Sequence, residues 1–85
     1  MRLAGKTAIV TGGSQGIGRA IAKRLAELGA TVVICGRRQE VLEQVAADIR
    51  SAGGSALPLV CDVTSNDDVE ALVHATLAET GRIDI

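Results

Sequence analysis

Short runs of apolar, often β-branched residues alternate along this chain with longer segments in which apolar residues recur every three or four positions. The runs cover residues 6–11, 31–35 and 56–61. Because they are almost continuously apolar, they predict strands that are covered on both faces, as in a parallel sheet. Strands that alternate with helical segments at this spacing form right-handed strand–helix–strand units, so the pattern predicts an α/β fold with a parallel sheet.

The segments between and after these runs predict three helices. The first is expected over about residues 17–28 and to end before Gly29, where a left-handed C-cap is favoured. Its expected apolar stripe is Ile17, Ala20, Ile21, Leu25 and Leu28. The stripe of the second helix is Val41, Leu42, Val45, Ala46 and Ile49. The third helix is expected to begin after an N-cap at Ser65 and to end at Gly81. Its expected stripe is Val69, Leu72, Val73 and Leu77.

The position of Pro58 predicts the order of the strands. It lies in the third apolar run and lacks the N–H group that a central strand needs, so the third strand is expected at an edge, in the order 3-2-1. Residues 82–85 begin a fourth strand, which we expect on the far side of strand one. The predicted fold is therefore a partial, doubly wound parallel sheet of the Rossmann type, whose ligands bind where the strand order reverses.

The segment from Thr11 to Gly18 joins the first strand to the first helix and is rich in glycine. Gly12 lets the backbone turn out of the strand, and Gly16 lets the main chain approach a pyrophosphate closely. The third glycine of the pattern, Gly18, lets the helix pack against the sheet. Since the free N–H groups of the first helical turn attract an anion, the segment predicts a phosphate-binding turn.

The end of the second strand predicts which dinucleotide the turn would take. A site for NAD places a carboxylate there to bind the ribose 2′-hydroxyl, whereas this chain has Gly36 followed by Arg37 and Arg38. Two guanidinium groups just before a helix are unfavourable against the helix dipole, and a bound 2′-phosphate would relieve this. The alternative is a solvated pair balanced by Glu40 and Glu43.

Composition limits the classes of protein and partner. With 85 residues, 47% of them hydrophobic, the chain has the size of one small globular domain. A net charge of −1 gives no basic footprint, so we expect neither nucleic acid nor a membrane as a partner. The amino-terminal residues lack an apolar signal segment, which predicts a cytoplasmic protein. Cys35 and Cys61 are expected as small buried residues, and the single histidine, His74, at the surface.

Four landmarks in the chain resemble the first third of a short-chain dehydrogenase/reductase. They are Thr11-Gly12-x-x-x-Gly16-Ile17-Gly18, Gly36-Arg37-Arg38, Cys61-Asp62-Val63-Thr64 and Gly81-Arg82-Ile83-Asp84. The resemblance covers essentially the whole chain and indicates an NADPH-dependent reductase of bacterial type. It implies that residues 1–85 are the amino-terminal portion of a single NAD(P)-binding domain.

The resemblance also implies a set of cofactor-binding residues. Those expected to hold the pyrophosphate and the adenosine ribose are Gly12, Ser14, Gln15, Gly16, Ile17 and Gly18. Asp62 and Val63 would flank the adenine, although an aspartate after a strand also commonly forms a local turn or cap. Gln15 stands where the family has a basic residue, so the 2′-phosphate of NADP would rest chiefly on Arg37, with Arg38 beside it. NAD is the less favoured cofactor.

No catalytic residue is predicted in this stretch. The family's catalytic Ser and Tyr-x-x-x-Lys pair have no match, since the chain has no tyrosine. The resemblance therefore implies an NAD(P)-dependent oxidoreductase whose 85 residues here are inactive alone. It further implies a small-molecule substrate and a homo-oligomeric complete enzyme. A free-standing nucleotide-binding module without catalysis is the alternative, and a methyltransferase is disfavoured because Gly36 and Arg37 replace an acidic group near strand two.

We also expect the isolated chain to fold poorly. The outer edge of strand one would be open, and a single helix would cover the second face of the sheet. The apolar residues expected to stay partly wet on that face are drawn from Ala8, Ile9, Val10, Val32, Val33 and Ile34.

Overall fold

The computed structural model describes residues 2–12 and 16–85, and these form alternating strands and helices as predicted. Their bounds are β1 Thr7–Thr11, α1 Gly16–Glu27, β2 Thr31–Gly36, α2 Gln39–Ser51, β3 Ser55–Val60 and α3 Asn66–Thr80. None of the described helices is both long enough and apolar enough to cross a membrane.

The strands form one parallel sheet in the order β1-β2-β3, which confirms the predicted order. Thr31 of β2 is in register with Thr7 of β1 and with Ser55 of β3. Pro58 lies opposite Ile34, on the edge strand where its missing N–H group costs no ladder bond. The residue type at one position therefore predicted the edge correctly.

The residues after α3 lie along the outer edge of β1. The N–H of Ile9 donates to the carbonyl of Ile85 at 3.0 Å, and the N–H of Ile85 donates to the carbonyl of Thr7 at 3.1 Å. These bonds run as in a parallel pair, on the side of β1 that does not face β2. The end of the described chain therefore lies on the far side of β1, where the fourth strand is predicted, although residues 82–85 are not themselves assigned as a strand.

The helices cover the two faces of the sheet unequally. Helices α1 and α2 share one core with the sheet, formed by Val10, Ala22, Ala26, Ala30, Val32, Ile34, Leu42, Val45, Ala46, Ile49 and Ala56. On the other face, Leu72 of α3 packs with Val33, Cys35 and Cys61. Both cysteines are free and buried, as predicted. Because all three strands are parallel, their carboxyl ends lie at the same end of the sheet.

The predicted apolar stripe of α1 is wrong in its main residues. The structure buries Ala22 and Ala26, whereas Ile17 is 80% exposed and Ile21 is 47% exposed. Close approach explains the preference for alanine, since a Cβ added at Gly54 would lie 3.2 Å from the Cβ of Ala26. At this separation Ala26 fits against Gly54, whereas Ile17 and Ile21 face outward and Leu25 packs only partly against the core.

The predicted stripe of α3 is also partly wrong. Leu72 is buried as expected, but Val69 and Leu77 are exposed, and Thr76 is buried instead. The hydroxyl of Thr76 donates to the carbonyl of Leu72 at 2.8 Å, so its burial leaves no polar group unsatisfied. A threonine that bonds within its own helix can therefore occupy a core position that sequence spacing assigns to a leucine.

The expectation that strand residues on the second face stay wet is wrong for Val33. It is 0% exposed, because Leu72 and Cys61 cover it together with its neighbours on the sheet. Ile9, on the edge side of the same face, is only partly buried. One helix therefore covers the middle of this face and leaves its β1 side open.

Candidate functional site

A cleft of about 330 Å³ opens at the carboxyl ends of the three strands. It is lined by Gly12, Gly36, Arg37, Arg38, Cys61, Asp62, Val63 and Thr64. These residues follow β1, β2 and β3 directly, and the carboxyl ends of parallel strands meet at one edge of a sheet. The fold thus brings five residues that the sequence singled out as cofactor-binding, namely Gly12, Arg37, Arg38, Asp62 and Val63, to one cleft.

Glycine is required on both sides of the turn between β1 and α1. Gly12 has a φ of 67° and Gly16 a φ of 48°, which residues with a side chain rarely adopt. The N–H of Gly12 donates to the carbonyl of Cys35 at 3.0 Å and so ties the turn to the end of β2. A Cβ added to either glycine would meet no described atom within 4 Å, so both positions border open space.

The remaining predicted residues of the turn divide into two groups. Ile17 and Gly18 lie in the first turn of α1, where no acidic residue stands to occupy the N–H groups. Ser14 and Gln15, by contrast, lie outside the described residues. The described part of the turn therefore offers a helix N-terminus with no acidic residue in its first turn, and the positive end of a helix dipole attracts an anion.

Arg37 and Arg38 connect β2 to α2 and are both exposed. Within residues 2–12 and 16–85, neither arginine forms an ion pair. The proposed balance by Glu40 and Glu43 is not formed, and Glu43 instead accepts from the side-chain amide of Gln39 at 3.2 Å. Two arginines without a direct ion pair therefore border the cleft, and Asp62 is the carboxylate that feels the charge of Arg37.

The carboxylate of Asp62 is held by its neighbours in the loop after β3. Its Oδ1 accepts the backbone N–H of Thr64 at 2.9 Å and the hydroxyl of the same residue at 2.6 Å. The N–H of Asp62 donates to the carboxylate of Asp68 at 2.9 Å. The bonds from Thr64 lower the pKa of the Asp62 carboxyl, and the positive charge of Arg37 lowers it further.

The local turn that the sequence suggested as an alternative for Asp62 is therefore present. It engages only one of the two carboxylate oxygens, since no described residue donates to Oδ2. A role in the turn and a role toward a ligand are consequently compatible. Sequence reasoning singled out Asp62 but missed Thr64 and Asp68, although an Asp-x-Thr spacing is itself a turn signal.

The two buried cysteines carry thiols that are harder to ionise than usual. Burial raises the pKa of the Cys61 thiol. Burial also raises the pKa of the Cys35 thiol to about 11, with a smaller contribution from electrostatic repulsion by Cys61. Both thiols thus stay protonated at neutral pH, and a thiol is a weak nucleophile. His74 is exposed on α3, and no cluster of side chains suited to a metal ion occurs among the residues described.

Comparisons of the sequence and of the fold with known proteins both find short-chain dehydrogenases. The sequence profile of the short chain dehydrogenase family matches residues 6–85. A short chain dehydrogenase of Pseudocercospora fijiensis is 45% identical over 84 residues, which are 99% of this chain and 27% of that protein.

Two solved structures are similar along almost the whole chain. A metagenomic short-chain oxidoreductase in complex with NADP superposes with a TM-score of 0.95 at 44% identity, covering 100% of this chain and 38% of that one. An actinorhodin polyketide ketoreductase with NADPH superposes with a TM-score of 0.89 at 40% identity, covering 93% of this chain and 30% of that one. The chain therefore spans well under half the length of its relatives, and by its sequence and its fold it belongs to the short-chain dehydrogenase family.

Proposed function

We propose that this chain is the NADP(H)-binding, amino-terminal part of a short-chain dehydrogenase/reductase, and that residues 1–85 form part of a single Rossmann domain. The observation that carries the proposal is the pair Arg37 and Arg38 at the cleft, neither of which forms a direct ion pair with a described residue. The NADP and NADPH bound in the two similar structures support the same cofactor class.

The pyrophosphate of the cofactor would lie against the turn between β1 and α1. Gly12, Gly16, Ile17 and Gly18 would bind it with backbone N–H groups, together with Ser14 and Gln15. Open space beside Gly12 and Gly16 supports this assignment, because a side chain at either position would project toward the ligand. The first turn of α1 adds the positive end of the helix dipole.

The 2′-phosphate would bind Arg37 first and Arg38 second. A guanidinium group binds a phosphate through paired, charge-assisted hydrogen bonds, which are the stronger kind. Because both groups precede α2, they carry an unfavourable interaction with its dipole that a bound phosphate would remove. A cofactor without the 2′-phosphate would leave this interaction in place.

The adenine would lie between Asp62 and Val63 at the third side of the cleft. Val63 is 54% exposed, and an exposed apolar side chain at the rim offers a contact surface for a flat base. The Asp62 carboxylate provides a hydrogen-bond acceptor for the edge of that base. The three sides of the cleft would thus bind the pyrophosphate, the 2′-phosphate and the adenine of one dinucleotide.

The nicotinamide ring supplies the hydride in this family. The family's Tyr-x-x-x-Lys has no match in this stretch, so catalysis of carbonyl or alcohol substrates would need residues outside it. A small-molecule substrate, a homo-oligomeric complete enzyme and a cytoplasmic location are parts of the same proposal. A free-standing nucleotide-binding module without catalysis is the second candidate.

Equilibrium binding tests the proposal on the full-length protein. NADPH and NADH are titrated separately, and the change in nicotinamide fluorescence gives each dissociation constant. We expect NADPH to bind roughly tenfold or more tightly than NADH. Equal affinities would contradict the choice of cofactor, and binding of neither would contradict the nucleotide site itself. A measured oxidation or reduction of a carbonyl or alcohol substrate would separate the enzyme from the module.

A further inference from the structure

The loop after β3 contains hydrogen bonds that hold one oxygen of the Asp62 carboxylate. Thr64 donates twice to Oδ1 of Asp62, from its backbone N–H at 2.9 Å and from its hydroxyl at 2.6 Å. Two donors from one residue hold Oδ1 in place and so limit the rotation of the carboxylate. Rotation of the Asp62 side chain would break at least one of them.

The backbone of the same loop is fixed from α3. The N–H of Asp62 donates to Asp68, whose own N–H donates to the hydroxyl of Ser65 at 3.2 Å. Ser65 is the N-cap of α3, and its N–H donates to the carbonyl of Asp62 at 2.9 Å. The loop is therefore anchored to a helix of 15 residues, and among the described residues only Thr64 donates to the carboxylate of Asp62.

An aspartate held in this way can act only as an acceptor. The hydrogen bonds from Thr64 and the charge of Arg37 lower the pKa of Asp62, so the group is ionised at neutral pH. Asp62 lines the cleft, and its Oδ2 accepts from no described residue. An ionised oxygen of this kind attracts an N–H donor on a ligand and repels a carbonyl oxygen.

We propose that Thr64 is a positioning residue that makes the cleft select a purine with an exocyclic amino group over one with a carbonyl in its place. The inference rests on the proposed function, since it needs a purine dinucleotide in the cleft. Adenine carries an amino donor at this position, whereas hypoxanthine has the same shape and carries an acceptor. Thr64 acts through Asp62 and does not touch the base.

Three variants of the full-length protein separate positioning from stability. Thr64→Val keeps the branched shape and the backbone N–H but removes the hydroxyl, and Thr64→Ser restores the hydroxyl without the methyl group. Ser65→Ala is the matched control, because it removes the N-cap of α3 in the same loop and leaves both bonds from Thr64 to Asp62 in place.

The measurement is the ratio of two dissociation constants, those of NADPH and of reduced nicotinamide hypoxanthine dinucleotide phosphate. We expect the unmodified protein to prefer NADPH and Thr64→Val to reduce that preference by roughly twofold to tenfold, the effect of one hydrogen bond. Thr64→Ser should restore the preference. Ser65→Ala should lower the melting temperature and leave the preference unchanged.

The outcomes distinguish this inference from the proposed function. If Thr64→Val binds NADPH and keeps the full preference for it, or if Ser65→Ala reduces the preference as much, the positioning role of Thr64 is wrong and the cofactor site stands. If the unmodified protein binds neither dinucleotide, the proposed function itself is wrong. A melting curve of each variant shows which proteins are folded enough for the comparison.

Discussion

The carboxylate of Asp84 accepts the backbone N–H of Thr7, the first residue of β1, at 2.9 Å. Thr7 is only 2% exposed, so its N–H group has little access to water and needs a partner in the protein. Arg82 orients the carboxylate through two bonds, from Nε at 2.8 Å and from Nη2 at 2.7 Å. This side-chain contact fixes the segment after α3 to the outer edge of β1.

Replacement of Asp84 tests that contact. Asp84→Ala removes the acceptor and leaves the N–H of Thr7 unpaired, so we expect a lower melting temperature of the full-length protein. Asp84→Asn keeps an acceptor oxygen and should lose less. Circular dichroism melting of both variants measures the difference, with Asp67→Ala as a control on an exposed aspartate. Equal losses for Asp84→Ala and Asp84→Asn would show that the hydrogen bond to Thr7 contributes little.

The pH dependence of stability has a predictable sign. Hydrogen bonds from Arg82 and Thr7 lower the pKa of Asp84, and those from Thr64 lower that of Asp62. A carboxyl with a lower pKa in the folded state contributes stability that is fully present above its ordinary pKa, about 3.9, and is lost as pH falls toward the lowered one. We therefore expect a melting temperature that is insensitive to these two groups above about pH 5 and declines below about pH 4.

Asp84→Asn provides the control for this profile. It removes one of the two titrating groups, so the decline in melting temperature below about pH 4 should become shallower than in the unmodified protein. An unchanged slope would show that Asp84 does not contribute to the acid sensitivity, and that other carboxyl groups dominate it.

The contribution of Arg37 to cofactor choice is open to direct measurement. Charge-assisted hydrogen bonds contribute about 1.5–3 kcal/mol, so Arg37→Ala should weaken NADPH binding by roughly tenfold to a hundredfold and leave NADH nearly unchanged. Arg24→Ala is the matched control, because Arg24 is an exposed arginine that pairs with Glu27 on α1. Fluorescence titration gives the constants. Equal losses for both cofactors would contradict contact between Arg37 and the 2′-phosphate.

The strand order and the members of the cleft could be predicted from sequence because each depends on a local residue type. Pro58 marks the edge strand, and Arg37 and Asp62 follow directly after strands whose ends converge. What the sequence could not predict depends on distances between elements. Helix α1 buries Ala22 and Ala26 and exposes Ile21, with Ala26 close to Gly54, and the burial of Thr76 needs a bond within α3 that spacing alone does not reveal.

The network around Asp62 shows the same limit at the level of the site. The sequence indicates that the residue follows a strand, and it leaves open whether the carboxylate serves the turn or a ligand. Only the geometry shows that Thr64 engages a single oxygen, which makes the two roles compatible. The contact of Asp68 with the N–H of Asp62 joins the cap of α3 to the cleft, a link between residues six positions apart.

Family membership predicts the residues that a longer protein containing this chain should carry. The similar proteins extend well beyond the matched region, since the chain spans 27% of the Pseudocercospora relative. We expect a Ser and a Tyr-x-x-x-Lys after Ile85, as the family implies. The nucleotide sequence of the gene shows whether they are present, and replacement of that tyrosine by phenylalanine should abolish turnover while NADPH binding persists. A gene that encodes neither would favour the free-standing module.

The exposed apolar residues of the helices predict how residues 1–85 behave alone. Ile17 and Ile21 are exposed on α1, and Val69 and Leu77 are exposed on α3. Each large apolar side chain left in water forfeits up to about 1.5–3 kcal/mol, and the net stability of ordinary domains is only about 5–15 kcal/mol. Poor folding of the isolated chain is expected from the sequence because strand residues on the second face of the sheet would be exposed, and the full burial of Val33 weakens that reason. The exposed isoleucines of α1 provide another reason.

We therefore expect the isolated 85-residue chain to self-associate, or to form a compact state that binds a hydrophobic dye and melts without cooperativity. Replacing both Ile17 and Ile21 tests the cause. Ile21→Lys with Ile17→Thr should reduce self-association, measured by analytical ultracentrifugation, because neither residue belongs to the buried core. The paired control Ala22→Ser with Ala26→Ser alters buried positions of the same helix and should not improve solubility. A monomeric isolated chain with one sharp thermal transition and micromolar affinity for NADPH would contradict the expectation and make the free-standing module the better explanation.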